Sequence, residues 1–300
     1  MLVRFLVLIP MLVALLVAGC HTTEPDGPVY KIGYMNCNSE TETVQRFTPL
    51  TRYLEQKVGV RFELVPVDTQ DFEERFVKEK FAFAHTNSLI YLVLHEDHNA
   101  RLVATEKRGQ FGARTAGTII ARKGSGIRTL ADIRGKRMLF GPQLAPSGFL
   151  AQYDLLLQNG IDPETDLALY GIPHGSYKHE KVIYGVYFGA WDVAAAPALD
   201  LELMIRDGRI SADDFNVIAQ SEIFPYCTFS AAADVDASLV ARVRQALLEL
   251  TPATTVDLDG EQVKVLKATW VDGYEGLSDK DYDILRQMAR RANMPPYQQF

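Results

Sequence analysis

The strongest constraint on the fold of this chain is a regular alternation of strand-like and helix-like segments. Residues 29–35 alternate apolar and polar side chains as a half-buried strand does. Residues 44–58 instead carry apolar side chains three or four positions apart, which predicts a helix that Gly59 ends as a C-cap. A strand, a helix and a third strand are predicted to follow at 61–67, 72–81 and 81–84. This βαβαβ order predicts parallel strands covered by helices.

A second block of alternating segments lies inside the chain. It contains strand-like runs at 137–140 and 191–196, and a helix between them is predicted to open at Ser147. The chain then returns to a mainly helical tail, in which Ser278 and Asp281 have the spacing of a capping box. We therefore predict an α/β protein with the second lobe inserted in the first and two hinge crossings between them. The predicted bounds are 30–118 and 222–300 for lobe 1 and 119–221 for lobe 2, with crossings near 113–119 and 221–229.

The first twenty residues are typical of an export signal that ends in a lipid attachment site. Arg4 precedes an apolar run over residues 5–17, which is too short for a comfortable transmembrane helix. The segment ends in Leu16-Val17-Ala18-Gly19-Cys20, a pattern typical of a bacterial lipobox, whose cysteine carries anchoring acyl chains. The alternative is an ordinary signal peptide with a chance cysteine. We predict a signal peptide over 1–19, lipidation of Cys20, a tether over 20–29 and a membrane-anchored location in the periplasm or cell envelope.

Charge and motifs argue against several other classes of function. The net charge of −7 argues against a nucleic-acid partner, which requires clustered Lys and Arg. The sequence has no G-x-S-x-G elbow, P-loop or H-E-x-x-H motif, so we predict no enzyme activity, no cofactor and no metal. His95 and His98 have the spacing of metal ligands, but we interpret them as a solvated helix end.

Five segments that follow predicted strands are the candidate ligand-binding positions, because ligands of open α/β sheets bind beyond the carboxyl ends of strands. These segments are 36–39, 85–87, 143–148, 176–179 and 221–228. Ser147 is expected to cap the helix that follows it, and the free N–H groups at that helix end favour an anion. Gly148 is expected to let a ligand approach the backbone. The alternative interpretation of Ser147 is a plain N-cap.

Several short motifs, taken together in their order and spacing, resemble those of one known family. In chain order they are Ile32-Gly33-Tyr34 with Ser39-Glu40, Phe47-Thr48-Pro49-Leu50 with Leu54 and Val58-Gly59-Val60, Phe81-Ala82-Phe83 with Asn87, Thr129-Leu130-Ala131-Asp132-Ile133-Arg134-Gly135-Lys136, Phe140-Gly141, Ser147-Gly148-Phe149-Leu150, His179-Glu180, Asp192-Val193-Ala194 and Ser221-Glu222-Ile223-Phe224-Pro225. The chain resembles the phosphate/phosphite/phosphonate-binding proteins of ABC importers, which are type 2 periplasmic binding proteins. The resemblance covers nearly all of residues 30–250.

The resemblance implies a solute-binding lipoprotein that captures a small oxyanion between closing lobes and delivers it to an ABC permease. The family's ligand contacts then correspond to His85, Ser147 with Gly148, His179 and Cys227. Lys178 and His179 are candidates for the positive charge that holds the anion. The full set of ligand-binding residues that we predict is Cys37, Asn38, His85, Thr86, Asn87, Ser147, Gly148, His179, Tyr226 and Cys227.

Two departures from the family pattern bear on the identity of the ligand. The loop over 143–146 lacks the hydroxyl groups expected before Ser147, and Tyr226-Cys227 replace an acid expected after Pro225. The missing acid argues against an aminoalkylphosphonate. Four side chains that suit soft ions are expected at the cleft, and they suggest a thiophilic oxyanion such as arsenite, or a soft metal. Alternatively, the two cysteines are buried small side chains or form a disulfide. The four side chains are Cys37, His85, His179 and Cys227.

The sequence leaves open what happens after the ligand is captured. The same closed lobes can present themselves to a histidine kinase, which would make the protein a sensing subunit. An enzyme built on these lobes is a third alternative, for which His179-Glu180 supplies a base without an accompanying nucleophile.

Overall fold

The computed structural model describes residues 27–299 of the chain. The predicted signal peptide over 1–19, the predicted lipidation of Cys20 and most of the predicted tether over 20–29 lie outside the described residues. In the part that is described, no helix is both long enough and apolar enough to cross a membrane.

Strands and helices alternate over most of the described chain, as an α/β fold requires. The strands within residues 27–299 are β1 (Val29–Met35), β2 (Arg61–Val67), β3 (Phe83–Thr86), β4 (Arg101–Lys107), β5 (Arg114–Thr115), β6 (Gly117–Arg122), β7 (Arg137–Leu139), β8 (Leu169–Gly171), β9 (Val193–Pro197), β10 (Phe215–Gln220), β11 (Phe224–Pro225), β12 (Thr228–Ala231), β13 (Thr255–Leu258), β14 (Glu261–Lys264) and β15 (Gly273–Glu275). The helices of the same part are α1 (Glu40–Val58), α2 (Phe72–Lys78), α3 (Ser88–His98), α4 (Ala151–Gln158), α5 (Pro163–Asp166), α6 (Lys178–Tyr187), α7 (Ala198–Arg206), α8 (Ala237–Leu248), α9 (Val265–Thr269) and α10 (Asp283–Arg291).

The first lobe is built on a sheet with strand order β15-β4-β12-β3-β1-β2. β1 is parallel to β2 and β3, whereas β12 is antiparallel to its neighbours β3 and β4. β3 is buried at every position, as is usual for a central strand covered on both faces. Phe47 and Leu50 of α1 pack with Val243 and Leu247 of α8 into the core of this lobe. Gly59 ends α1 in the left-handed conformation, which confirms the predicted C-cap.

The second lobe is built on a sheet with strand order β10-β6-β9-β7-β8. β7, β8 and β9 are parallel, and β6 is antiparallel to both β9 and β10. All of these strands lie between β5 and β11 in the sequence, so the second sheet is inserted into the chain that forms the first. The α/β, two-lobed fold predicted from the sequence is confirmed.

Two short strands lie side by side where the chain passes between the lobes. β5 and β11 form an antiparallel ladder in which Thr115 lies opposite Phe224. Both strands fall within the segments predicted to be crossings, 113–119 and 221–229. Adjacent crossings of this kind allow two lobes to rotate about a common hinge.

The third strand lies two residues further along the chain than the sequence pattern predicts. It covers Phe83–Thr86 rather than 81–84, because the ladders with β1 and β12 both include His85. His85 is therefore a strand residue rather than part of the loop. Asn87 is the N-cap of α3, and its side chain accepts hydrogen bonds from two backbone N–H groups of that helix.

Strands in the C-terminal region also depart from the prediction of a mainly helical tail. The chain forms a hairpin from β13 and β14, and β15 lies at the edge of the first sheet beside β4. These strands are short, and β15 pairs with a strand far away in sequence, so local periodicity did not indicate it. The predicted capping box of Ser278 and Asp281 is confirmed, and it opens a 3₁₀ turn that leads into α10.

Helix α10 contacts both lobes and so adds a connection that the two predicted crossings do not include. On the side of the first lobe, Nε of Arg286 donates to Oε1 of Glu96 in α3 at 2.9 Å. On the side of the second lobe, Nε of Arg291 donates to Oδ1 of Asp154 in α4 at 2.6 Å. The lobes are therefore linked by two covalent crossings and by the ion pairs of one helix.

Candidate functional site

A cleft of about 910 Å³ lies between the two lobes, at the carboxyl ends of β1 and β3. Most of the ligand-binding residues predicted from the sequence line this cleft. Those that do so are Cys37, Asn38, His85, Asn87, Ser147, His179, Tyr226 and Cys227. Thr86 and Gly148 lie behind the lining instead, Thr86 fully buried within β3 and Gly148 beneath the ring of His179.

The floor of the cleft in the first lobe holds a buried pair of ionisable side chains. Nε2 of His85 lies 2.8 Å from Oε1 of Glu106, and both side chains are buried. Burial by itself raises the pKa of the Glu106 carboxyl. The charge and hydrogen bond of His85, together with the charges of Arg46 and Arg108, nevertheless outweigh burial and hold this pKa below its usual range. His85 was predicted to contact the ligand, but Glu106 occupies its Nε2.

Arg46 brings a positive charge to the same floor, and the sequence analysis missed it. Its Cζ lies 4.3 Å from the ring centroid of Trp270 and 5.0 Å from that of Phe47. One terminal nitrogen donates to the carbonyl of Thr269 at 2.9 Å, while the buried Nε has no hydrogen-bond partner within residues 27–299. The only sequence signal was its position four residues before Leu50, on the apolar face of α1. A charged donor held this way is suited to bind an anion.

A second cation that the sequence analysis missed, Arg108, lies near the second crossing. Its Nη1 lies 3.5 Å from the hydroxyl of Tyr226. Burial would lower the pKa of the Arg108 guanidinium, but Tyr226 and the carboxylates of Asp200 and Glu106 raise it above its usual value. Arg108 therefore stays charged, and two carboxylates balance its charge locally.

The opposite wall of the cleft is formed by His179, at the start of α6, and by Ser147. The ring of His179 lies over Gly148, where a Cβ atom would be only 2.7 Å from its Cε1. A ligand was expected to approach the backbone at Gly148, but the ring of His179 occupies that space. The prediction that Ser147 caps a helix is wrong. Pro146–Leu150 form a single π-helical turn whose N-cap position is Ala145, which leaves Ser147 inside the turn.

Hydrogen bonds join the two lobes across the mouth of the cleft. Oδ1 of Asn38 accepts from the backbone N–H of Tyr177 at 2.9 Å, and the carbonyl of Asn38 accepts from the hydroxyl of Ser176 at 2.9 Å. Nδ2 of Asn87 donates to the carbonyl of Leu144 at 2.9 Å. Asn38 and Asn87 were predicted as ligand residues, and the structure places both in contacts between the lobes. The described conformation is therefore a closed one.

The loop over 143–146 lacks hydroxyl groups, but two hydroxyl side chains lie on the other side of the cleft. Ser88 and Thr115 line it, and neither buried side-chain oxygen has a hydrogen-bond partner within the described chain. Leaving a buried hydroxyl unsatisfied costs about 1–3 kcal/mol. Ligand oxygens or water would remove that cost, so these hydroxyls are candidate ligand contacts. Their positions, just after a predicted strand and within a predicted crossing, were the available sequence signals.

Cys37 and Cys227 both line the cleft as free thiols rather than as the disulfide that the sequence left open. Cys37 follows β1 and Cys227 precedes β12, so both lie near the same edge of the first sheet. Cys37 is exposed to the cleft and Cys227 is partly exposed. Protein atoms surround both residues within the cleft, and the resulting loss of solvation raises the pKa of both thiols. Both are therefore protonated at neutral pH.

No group of three or more His, Cys, Asp or Glu side chains in residues 27–299 is arranged to hold a metal ion. Nε2 of His98 pairs with Oε1 of Glu73 at 2.9 Å, and Nδ1 of His95 lies 2.8 Å from the carbonyl of Ala100. These two histidines therefore interact with neighbouring protein groups at the end of α3.

Two α/β lobes that close on a lined cleft define a two-lobed ligand-binding protein. The profile of one protein family, described as "ABC transporter, phosphonate, periplasmic substrate-binding protein", matches residues 32–282. The match spans most of the chain, and the protein belongs to this family. The resemblance inferred from the motifs is confirmed.

Two solved structures illustrate the similarity of fold. PhnD1 from Prochlorococcus marinus in complex with methylphosphonate has a TM-score of 0.71 and 15% identity, over 88% of this chain and 98% of that one. A binding protein component of an ABC phosphonate transporter from Pseudomonas aeruginosa has a TM-score of 0.70 and 18% identity, over 89% and 87% of the two chains. At this level of identity the similarity establishes the fold.

A curated relative is a sensor kinase. The tetrathionate sensor histidine kinase TtrS of Salmonella typhimurium is 24% identical over 241 residues, which is 75% of this chain. The chain spans only 40% of the length of that relative.

Proposed function

We propose that this protein is a lipid-anchored periplasmic component of an ABC importer that captures a small oxyanion between its lobes. A phosphonate, phosphite or phosphate group is the class of ligand that its family membership favours. An importer component also needs a position close to its permease. The lipobox pattern at Cys20 supports such a position, because acyl chains hold the protein at the membrane surface.

The observation that carries this proposal is the state of Arg46 at the floor of the cleft. The residue is 8% exposed, and stacking on Trp270 holds its guanidinium in place. Its Nε has no partner within the described residues, although burying a charged donor without one is unfavourable. Nη1 of Arg46 lies 3.6 Å from Oε1 of Glu42, so one carboxylate already faces this guanidinium. A ligand oxyanion would supply the acceptor that Nε lacks.

The remaining contacts that we assign to the oxyanion come from both lobes. Ser88 and Thr115 offer buried hydroxyls from the first lobe, and His179 lies opposite them on the second. Because the ligand would contact both lobes only when they are closed, its binding would stabilise the closed form.

Isothermal titration calorimetry with methylphosphonate, phosphite and phosphate tests the proposal. Arg46→Ala should weaken binding of the preferred anion by about a hundredfold, since a charged hydrogen bond in a desolvated site contributes roughly 1.5–3 kcal/mol. Arg52→Ala is a matched control, because Arg52 lies on the same helix with a side chain that is 51% exposed and pairs with Glu55. Equal binding by wild type and Arg46→Ala would refute the assignment.

A second candidate function, ligand sensing for a histidine kinase, is favoured by one specific observation. The relative TtrS is described as a tetrathionate sensor histidine kinase, and its similarity covers three quarters of this chain. A sensing subunit would present the same closed lobes to a kinase instead of a permease. Genes for a permease and an ATPase beside this one would support import, whereas an adjacent kinase gene would support sensing. Tetrathionate belongs in the same calorimetric series, because binding of it alone would favour the sensing role.

A further inference from the structure

The side-chain amide of Asn38 bonds to both lobes at once. Its Oδ1 accepts from the backbone N–H of Tyr177 at 2.9 Å, across the mouth of the cleft. Its Nδ2 donates to both carboxylate oxygens of Glu42, at 3.0 Å in each case. Glu42 lies four residues after Asn38, in the first turn of α1. The contact between the lobes is therefore backed by a carboxylate of the first lobe.

Glu42 determines which end of the Asn38 amide faces the opposite lobe. An ionised carboxylate has no proton to donate, so only the NH₂ end of the amide can bond to it. That leaves the amide oxygen to accept from the Tyr177 N–H. If the amide were turned over, two acceptors would meet at Glu42 and two donors would meet at Tyr177. The carboxylate thus selects the one orientation in which this bond between the lobes can form.

The same carboxylate also faces the guanidinium that we assign to the oxyanion. Nη1 of Arg46 lies 3.6 Å from Oε1 of Glu42, and the two residues are four positions apart on α1. The Arg46 side chain is 10% exposed and that of Glu42 is 15% exposed, so water screens their charges only weakly. Glu42 therefore bonds to the amide of Asn38 and attracts the charge of Arg46 with the same two oxygens.

We propose that Glu42 is a positioning residue that couples oxyanion binding at Arg46 to closure of the lobes. The inference rests on the proposed function, because it takes the Arg46 guanidinium as the contact for the anion. Without an anion, Arg46 attracts the carboxylate and so competes with Asn38 for it. An anion beside Arg46 offsets this attraction and leaves Glu42 to hold the amide in its bonding orientation. The path from the ligand to the second lobe is Arg46, Glu42, Asn38 and Tyr177.

The size of the effect has an upper bound. A second bond across the mouth runs from the hydroxyl of Ser176 to the backbone carbonyl of Asn38, at 2.9 Å. That bond does not involve the Asn38 amide, so it is independent of Glu42. Because Glu42 acts through the amide, removing its carboxylate cannot weaken closure by more than removing the Asn38 side chain does.

Calorimetry with methylphosphonate on a double-mutant cycle tests the coupling. Asn38→Ala and Glu42→Ala should each weaken binding about threefold to fivefold. The double variant should weaken it no more than the larger of the two, since both changes remove one bond between the lobes. Glu40→Ala is the matched control and should bind like wild type, because Glu40 is an exposed carboxylate in the same first turn of α1.

Two further measurements separate a positioning role from general loss of stability. Stopped-flow kinetics should show the whole effect of Glu42→Ala in a faster dissociation of methylphosphonate, with the association rate unchanged or higher. Hydrogen exchange of the methylphosphonate-saturated protein should show the Tyr177 amide exchanging several-fold faster in Glu42→Ala and Asn38→Ala than in wild type and Glu40→Ala. A variant that was merely less stable would instead lose binding stoichiometry.

Two results would overturn the coupling while the proposed function stands. In one, wild type binds methylphosphonate but the effects of Asn38→Ala and Glu42→Ala multiply in the double variant. In the other, the Tyr177 amide exchanges at the wild-type rate in Glu42→Ala. Wild-type protein that binds none of methylphosphonate, phosphite and phosphate would refute the proposed function, and the coupling with it.

Discussion

Nε2 of His85 lies 2.8 Å from Oε1 of Glu106 at the floor of the interlobe cleft, where both side chains are buried. His85 holds the pKa of the Glu106 carboxyl below its usual range even though burial opposes this. Glu106 is consequently an ionised part of the floor, and its hydrogen bond to His85 fixes its position. The pair links β3 to β4 across the strand β12 that lies between them.

This pair predicts how stability depends on pH. The pKa of Glu106 is lower in the folded than in the unfolded chain, so its ionised form stabilises the fold above the unfolded value of about 4.3. That stabilisation is lost as the pH falls through the lower, folded-state pKa. Urea unfolding at a series of pH values should show a free energy of unfolding that decreases on acidification.

Glu106→Gln should reduce this decrease and lower the free energy of unfolding by about 2 kcal/mol at neutral pH. Glu63→Gln, at an exposed position of β2, is the control and should retain the wild-type profile. Identical acid profiles for Glu106→Gln and wild type would contradict the prediction.

The contact between Asn38 and Tyr177 predicts a change in lobe closure. Asn38→Ala removes the hydrogen bond from the Tyr177 N–H, so the closed form should lose roughly 1 kcal/mol, or about fivefold in ligand affinity. Small-angle scattering should show a larger radius of gyration at subsaturating ligand. Asn159→Ala is the control, because that exposed side chain bonds only to the carbonyl of Leu155 in its own helix. A variant that binds and scatters like wild type would show that the contact does not contribute to closure.

The packing of His179 over Gly148 predicts that even one methyl group added at position 148 disturbs the cleft wall formed by His179 and Ser147. In Gly148→Ala the new Cβ would lie 2.7 Å from Cε1 of His179, so the ring must move. We expect ligand affinity to fall by about tenfold and stability to fall by about 1–3 kcal/mol. The double variant Gly148→Ala/His179→Ala should recover stability, because it relieves the clash, without recovering affinity. Recovery of affinity as well would remove His179 from the ligand site.

The ion pair between Arg291 and Asp154 predicts that the last helix stabilises the second lobe. Asp154 is fully buried, and Nε of Arg291 donates to it at 2.6 Å. Arg291→Ala leaves that carboxylate with only the side chain of Gln158, and should lower the free energy of unfolding by about 3 kcal/mol. Arg290→Ala is the control, because Arg290 stacks on Tyr297 and should cost less than about 1 kcal/mol. Equal losses in the two variants, measured by urea unfolding, would contradict a special role for Arg291.

Sequence patterns alone determined the order of the main elements and the insertion of one lobe in the other. Strand and helix periods are local properties, so β1, α1 and β2 could be recognised from side-chain spacing. The motifs also indicated the family, and eight of the ten ligand-binding residues predicted from the sequence line the cleft. The export signal and Cys20 remain predictions, because they lie outside the described residues.

The tertiary structure alone decided which of those residues are available to a ligand. Whether Asn38 faces a ligand or the opposite lobe depends on how the lobes meet, and local sequence does not encode that contact. In the sequence, Arg46 has the pattern of an ordinary helix residue. Only the fold stacks it on Trp270, more than two hundred positions away. That Cys227 lines the same cleft as Cys37 likewise depends on β12 entering the sheet beside β3. Contacts between distant segments are set by packing and not by periodicity, so the positive charges of Arg46 and Arg108 in the cleft emerged only from the folded chain.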